Sequence, residues 1–148
     1  MNNEIVTLNI ENLDYTVDMA LQLWPDNTEE GLKDEFIEKL KSEKDEVFLY
    51  RIENKLVGFI HVAIRTDYVE GAGSSPTGFI EGIFVKEEFR NKGIARDLVK
   101  KGELWAKSKG CREIGSDVEF HNKDSYNFHK KIGYTEVNRI ICFLKTIK

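Results

Sequence analysis

Apolar and polar positions change period several times along the chain. Glu4 to Ile10 (EIVTLNI) alternates at every second residue, the pattern of a half-buried strand. From Asn12 to Trp24 the apolar positions Leu13, Val17, Ala20, Leu21 and Trp24 share one helical face, and Pro25 stops that helix. Thr28-Glu29-Glu30-Gly31 opens a second helix with acids in its first turn, and Leu32, Phe36, Ile37 and Leu40 supply its stripe. VFLYRI and LVGFIHVAIR, joined by Glu53-Asn54-Lys55, read as a hairpin. A loop from Thr66 to Thr77 holds Gly71, Gly73 and Pro76. Phe79 to Val85 (FIEGIFV) is then a strand apolar on both faces, which predicts a central, covered position. A long helix is predicted over Asn91 to Lys109, with Ile94, Leu98, Gly102 and Trp105 aligned. A short strand follows at Glu113 to Asp117, a helix at Asp124 to Ile132, and a strand or pair of strands at Tyr134 to Thr146. The order of elements predicts a mixed α/β fold around one sheet.

Composition narrows the class. At 148 residues, 41% hydrophobic and 32% charged, the chain suits one globular domain over residues 1–148. No apolar run approaches the roughly 20 residues that span a bilayer, so no membrane partner is expected. The start MNNEIVTLNIENLD lacks the basic and apolar blocks of a secretory signal. Cys111 and Cys142 form no CxxC, so neither a zinc site nor a disulfide scaffold is expected, and a reducing cytoplasm is the expected location.

Charge is uneven. Residues 1–60 hold 14 acids and 6 Lys/Arg, net −8; residues 61–148 hold 12 acids and 16 Lys/Arg, net +4. Solvated helix faces would give this split. So would a cleft with one anionic and one cationic half. No long basic stripe points to nucleic acid.

Two stretches carry candidate chemistry. In FIEGIFV, Glu81 interrupts a covered strand, where an unpaired carboxylate is costly. Gly82 beside it permits a bulge or a close backbone approach. Glu81 either pairs with a nearby Lys or Arg or faces a ligand at a splayed strand edge. In FRNKGIARDL, Gly93 stands at the mouth of the long helix among Arg90, Lys92 and Arg96. Free helix N–H groups, a residue without Cβ and three cations make an anion cradle suited to a pyrophosphate. The stretch fits neither the P-loop pattern nor GxGxxG.

Read together, EGIFVKEEFRNKGIARDLV resembles the acetyl-CoA-binding strand, loop and helix of the GNAT superfamily of N-acetyltransferases. Their hallmark, Gln/Arg-x-x-Gly-x-Gly/Ala, reads here Arg90-Asn91-Lys92-Gly93-Ile94-Ala95. A second segment, from Asn122 through Ser125, Phe128 and His129 to Gly133-Tyr134, resembles the downstream region of the same superfamily. LWPD (Leu23 to Asp26), Tyr68, Gly71, Ser75-Pro76, FIEGIFV, WAKSKGC (Trp105 to Cys111) and Ser116-Asp117 are similar to the aminoglycoside 6'-N-acetyltransferases.

The resemblance implies a mixed, mostly antiparallel sheet splayed at a bulged strand and flanked by about four helices. It implies acetyl-CoA as cosubstrate and no metal. The pyrophosphate would lie on Arg90, Asn91, Lys92, Gly93, Ile94, Ala95 and Arg96. The pantetheine arm would run along Ile83 and Val85, with the Val85 N–H donating to the thioester oxygen. Asn122, Ser125 and His129 would contact the cofactor, Asn122 otherwise serving as a helix cap. Tyr134 would pack beneath the cofactor.

The implied acceptor is a cationic aminoglycoside, walled by Trp24, Asp26, Tyr68, Glu81 and Asp117. Glu81 would take the amine proton, with Asp117 sharing that work or anchoring an ammonium. His129 stands where many members carry a tyrosine acid, which leaves the acid unassigned. A homodimer is common in the family and is expected. The alternatives are a different amine acceptor (a polyamine or a protein N-terminus) and a non-catalytic CoA-binding regulatory module.

Overall fold

The computed structural model describes residues 2–148. The elements are β1 (Asn3–Thr7), α1 (Leu13–Leu23), α2 (Glu29–Lys41), β2 (Asp45–Ile52), β3 (Lys55–Arg65), β4 (Thr77–Val85), α3 (Ile94–Ser108), β5 (Ile114–Gly115) and α4 (Lys123–Lys131). The strands form one sheet in the order β1-β2-β3-β4-β5. Pairing is antiparallel through β4, and β5 joins parallel to it. This is the mixed, mostly antiparallel sheet with four helices that the resemblance implies.

Local chemistry sets the boundaries. The Thr28 hydroxyl accepts the Gly31 N–H at 3.0 Å and caps α2, with Glu29 and Glu30 in its first turn. At the β2–β3 hairpin, Glu53 and Asn54 take φ of 47° and 70°, the left-handed pair whose twist matches the flanking strands.

Successive strand residues face opposite layers. Phe59 joins Val17, Ala20, Leu32 and Phe36 in the core under α1 and α2. Ile60 joins Leu98 and Val99 of α3 in the core on the other face. Phe128 and Ile132 of α4 pack against that second core. β4 sends Phe84 into one core and Ile80 and Val85 into the other, which explains its apolar residues on both faces.

The structure departs from the predicted elements chiefly at four places. β1 ends at Thr7 rather than Ile10, although the Leu8 N–H still donates to Val47 O at 3.0 Å. α3 begins at Ile94 rather than Asn91, because Asn91 (φ 63°) and Gly93 (φ 84°) form a left-handed turn ahead of it. β5 is two residues long rather than running from Glu113 to Asp117, since its pairing with β4 stops at Phe79–Gly115. The strand or strands predicted over Tyr134 to Thr146 are not formed, and residues 135–148 are exposed without regular structure. A strand exists only by bonding to a neighbouring strand, and this segment pairs with none in its own described chain.

Candidate active site

The site is built where β4 leaves β5. The β3–β4 register pairs His61 with Gly82 but Val62 with Ile80, so Glu81 is the extra residue of a β-bulge. The close approach that Gly82 permits is real: a Cβ there would lie 2.5 Å from Cζ2 of the Trp24 ring. Trp24, at the end of α1, is thereby seated beside the bulge.

The Glu81 carboxylate does not stand alone. Arg65, at the end of β3, donates from Nε to Oε2 at 3.0 Å and from its terminal nitrogen to Oε1 at 2.8 Å. The guanidinium lies over the Phe79 ring, 3.6 Å from its centroid. The ion-pair reading of Glu81 therefore holds, and the pair is partly open, with side-chain exposures of 40% for Arg65 and 27% for Glu81.

Past Phe79, one edge of β4 has no strand beside it among the described residues. The Lys86 N–H donates to Val57 O on β3 at 2.8 Å. Strand amides alternate in direction, so Val85 and Ile83 aim theirs at the free edge. Arg90 folds back there, its Nε donating to Val85 O at 2.7 Å and its guanidinium 5.6 Å from the Phe84 centroid. Arg90 thus fixes the strand end as well as adding charge.

The turn into α3 comes next. Asp97 N–H is bonded to Gly93 O at 3.1 Å, and no side chain caps the amides ahead of it. Nothing lies within 4 Å of the position a Cβ would take on Gly93. Ile94, Ala95 and Arg96 so present free N–H groups to an open surface, at the positive end of a fifteen-residue helix. Lys92 extends over Phe89, 5.7 Å from its centroid. A groove of about 360 Å³ runs on from Arg96, past Lys100 and Glu103, to Lys131 at the end of α4 and Gly133 just after it.

The opposite lip of the cleft begins where β5 ends, at Ser116 and Asp117. His129 of α4 meets Ser116 across it, Nε2 to Oγ at 2.7 Å, while Nδ1 lies 2.7 Å from Ser125 O. A carbonyl can only accept, so Nδ1 carries the proton and, in the neutral ring, Nε2 accepts a hydrogen bond from the Ser116 hydroxyl. Ser125 thereby meets His129 through its carbonyl. Asn122 caps α4, its Oδ1 accepting the Ser125 N–H at 3.1 Å. The Tyr134 hydroxyl donates to Glu103 at 2.7 Å, and burial together with that carboxylate pushes its pKa up, so its proton is held on the Glu103 side.

Of the acceptor-wall residues, Trp24 and Glu81 are brought together by the bulge. Tyr68 is exposed in the loop before β4, its hydroxyl oxygen accepting the Gly71 N–H at 3.2 Å. Asp26 and Asp117 are exposed and make no ion pair among the described residues.

The Acetyltransferase (GNAT) family model matches residues 13–134. The chain belongs to this family.

Full-length relatives agree. The aminoglycoside N(6')-acetyltransferase type 1 of Serratia marcescens is 37% identical over 144 residues, covering 97% of this chain and 99% of that protein. The protein of the same description from Salmonella typhimurium is 34% identical over 142 residues, covering 96% and 98%. Among solved structures, AAC(6')-Iy in complex with the bisubstrate analogue CoA-S-monomethyl-acetylneamine superposes with a TM-score of 0.95 at 33% identity, covering 99% of this chain and all of that one. AAC(6')-Ih from Acinetobacter baumannii superposes with a TM-score of 0.92 at 31% identity, covering 99% of this chain and 100% of that one.

The GNAT hallmark pointed to the turn but not to three groups that the fold adds to the site. Arg65 is one, and only the bulge register brings it to Glu81. Ser116 is another, adjacent to a candidate yet unremarkable until α4 places His129 on it. Lys100 and Lys131 are the third, lining the groove beside Arg96. The i, i+4 spacing of Arg96 and Lys100 was the one available signal.

Proposed function

We propose that residues 1–148 work as one acetyl-CoA-dependent N-acetyltransferase domain whose acceptor is the 6'-amine of aminoglycosides. The observation that carries the reading is the Glu81 bulge. It sets a carboxylate and the Trp24 ring beside a strand edge whose Ile83 and Val85 amides are free. The names of the two full-length relatives supply the acceptor, and the uneven charge of the chain suits a polycation.

Acetyl-CoA supplies the acetyl group as an activated thioester. The chain's residues fit it. Ile83 and Val85 would bond the pantetheine arm as an added strand, and the Val85 N–H would donate to the thioester oxygen as negative charge grows there. The amides of Ile94, Ala95 and Arg96, with Asn91, Lys92 and the open Gly93 turn, would hold the pyrophosphate. Arg90 would add charge from its anchored position. Asn122 has its Nδ2 end free of hydrogen bonds among the described residues, and with Ser125 and His129 it would border the cofactor from α4.

The acceptor ammonium must lose a proton before it attacks. Glu81 would bind that ammonium and take the proton, directly or through water. Arg65 already occupies both carboxylate oxygens, so the incoming cation shares Glu81 with it or displaces it. Asp117, Asp26, Tyr68 and Trp24 would hold the rest of the aminoglycoside. The departing thiolate would be met by the Ser116 hydroxyl, with His129 behind it.

We place the enzyme in the cytoplasm as a homodimer. Two free cysteines, one of them exposed, support a reducing compartment. Among the described residues no helix is long and apolar enough to cross a membrane. The exposed apolar C-terminal segment supports self-association.

The test is acetyl-CoA turnover read as released CoA thiol, with aminoglycosides bearing and lacking a 6'-amine, spermidine and a generic peptide. Release confined to aminoglycosides with that amine is expected. Release with spermidine or peptide instead would replace the acceptor. Binding of acetyl-CoA without release to any of them would favour a non-catalytic CoA-binding module.

A further inference from the structure

The acceptor side of the cleft holds a second titratable pair that the proposed chemistry leaves idle. In the β3–β4 register Phe59 pairs with Phe84, and two residues on His61 pairs with Gly82, the neighbour of Glu81. Phe59 and Phe84 belong to the core under α1 and α2. Side chains two apart on a strand share a face, so His61 stands in that layer too. The Trp24 ring lies over Gly82 in the same layer. Directly opposite strand positions are about 5 Å apart, which puts the imidazole at the foot of the acceptor wall, beside Trp24 and the bulge. Arg65, four residues further along β3, shares the face and holds Glu81 to it.

The ring is oriented from the β2 side. Nε2 lies 2.7 Å from Oδ1 of Asp45, the first residue of β2. The other Asp45 oxygen accepts the Ser42 hydroxyl at 2.8 Å, and Lys39 of α2 stands 3.8 Å from Oδ1. Burial works against the Asp45 charge, but His61, Ser42 and Lys39 outweigh it, and the carboxyl stays ionised at neutral pH. An ionised carboxylate only accepts, so Nε2 carries the proton of the neutral ring and Nδ1 the lone pair. The two ring nitrogens point apart, so a ring tied by Nε2 to β2 turns Nδ1 toward the β4 side. Nδ1 has no hydrogen-bond partner among the described residues, and none of their fully buried side-chain nitrogens lacks one, so Nδ1 keeps some solvent-accessible surface. A proton-accepting nitrogen is thus left on the cleft side of a side chain only 11% exposed.

Glu81 needs such a neighbour. Arg65 engages both its oxygens, and a proton taken from one acceptor must leave before the next acceptor binds. We propose that His61, oriented by Asp45, receives that proton on Nδ1. This rests on the acetyltransferase reading and extends its proton path by one step. An N–H bond of the acceptor ammonium breaks with its electron pair kept on nitrogen, and the proton passes to a Glu81 oxygen. Through one water it moves on to Nδ1. That gives an imidazolium paired with the Asp45 carboxylate and restores Glu81 to the carboxylate that Arg65 holds. Solvent takes the proton once the acetylated product has left. His61 so acts through Glu81 and is a positioning residue for the proton, not a contact of the acceptor. On the Asp45 side the charged groups are Lys39 and Glu46, which line a cavity of about 210 Å³ with it. On the cleft side they are Arg65 and Glu81, and α1 contributes the uncharged Leu23 and Trp24. Imidazole is the one side-chain type among them whose charge ordinarily changes between about pH 5 and 8.

The experiment compares the unmodified chain with His61→Gln by steady-state kinetics over about pH 5 to 8. In parallel, the histidine ring ¹⁵N NMR signals of the CoA-bound unmodified chain are followed as aminoglycosides bearing and lacking a 6'-amine are added. Expected in the variant are a kcat lower by about 10-fold or more, an unchanged KM for acetyl-CoA, and a fall toward acid pH much shallower than in the unmodified chain. The aminoglycoside with the amine should shift the His61 ring signals, and the one without it should not. A variant that keeps its kcat overturns the inference. So does one that loses kcat with the pH profile unchanged, the mark of a purely structural role, and so does a His61 signal that the amine leaves unmoved. If the variant does not fold, the signals of the unmodified chain decide. Release of CoA thiol with an unmoved His61 sinks only this step, a His61 shift without release sinks only the activity, and the absence of both sinks both.

Discussion

The guanidinium of Arg65 closes on the Glu81 carboxylate with two hydrogen bonds, at 3.0 and 2.8 Å, from the neighbouring strand. A bidentate pair fixes direction as well as charge. Its base of support is the Phe79 ring beneath the guanidinium. Arg65 is thus a positioning residue for Glu81. Arg65→Gln is expected to lower kcat/KM for the acceptor by about 10-fold or more while leaving the KM for acetyl-CoA unchanged. Glu81→Gln should lower kcat by about 100-fold, again without affecting acetyl-CoA. Steady-state kinetics with each substrate varied in turn checks both, and a fully active Glu81→Gln enzyme removes the proposed base.

The Gly93 turn separates conformation from crowding. Its φ of 84° is a left-handed value, while the space around its missing Cβ is empty. Gly93→Ala therefore meets no clash but must hold a strained backbone, at about 1 kcal/mol or more. The expected result is a several-fold rise in the KM for acetyl-CoA with little change in acceptor KM. Titration calorimetry with CoA gives the same quantity without turnover.

How much of this was legible in the residues follows from what each signal depends on. The stripe of α2 and its Thr28 cap are local, and they appear as read. Gly82 beside Glu81 announced a bulge because a lone glycine in a covered strand needs a reason, and the register supplies it. Arg65 escaped because its partner lies 16 residues away, and which strand residues become neighbours is decided by register alone. The segment from Tyr134 to Thr146 has a strand's composition but no strand's bonds. Composition is carried by the segment, whereas the partner edge is not.

His61 and Asp45 make a second pair, at 2.7 Å and with only 11% and 13% side-chain exposure. Burial tends to raise the Asp45 pKa, but hydrogen bonds from His61 and Ser42 and the charge of Lys39 outweigh it and hold the carboxyl below its usual 3.8. A carboxyl lowered on folding contributes stability above its unfolded pKa and loses it as pH falls through the folded value. Asp45→Asn should therefore cost about 1–3 kcal/mol at pH 7. The gap between the two melting temperatures should close only below about pH 4. Thermal melts of both proteins from pH 3 to pH 7 test this, and a gap independent of pH would assign the loss to packing.

Ser116 and His129 form a hydroxyl–imidazole pair at the cleft lip, at 2.7 Å. The carbonyl of Ser125 holds the ring by Nδ1, so the ring cannot turn that proton toward the cleft. A proton for the departing thiolate then comes from the Ser116 hydroxyl once Nε2 has taken a proton from solvent: Nε2–H donates to Oγ, the hydroxyl turns its own proton to the sulfur, and Oγ regains one from Nε2. A thiol of free pKa about 8.5 leaves tolerably without help, so the gain is modest. Ser116→Ala and His129→Gln are each expected to lower kcat by about 10-fold, and the double variant should fall no further, because the two act as one relay. A purely structural pair would instead lower the melting temperature and leave kcat intact. Measuring kcat and melting temperature across the four proteins of this cycle separates the two roles, and additive losses in kcat would break the relay.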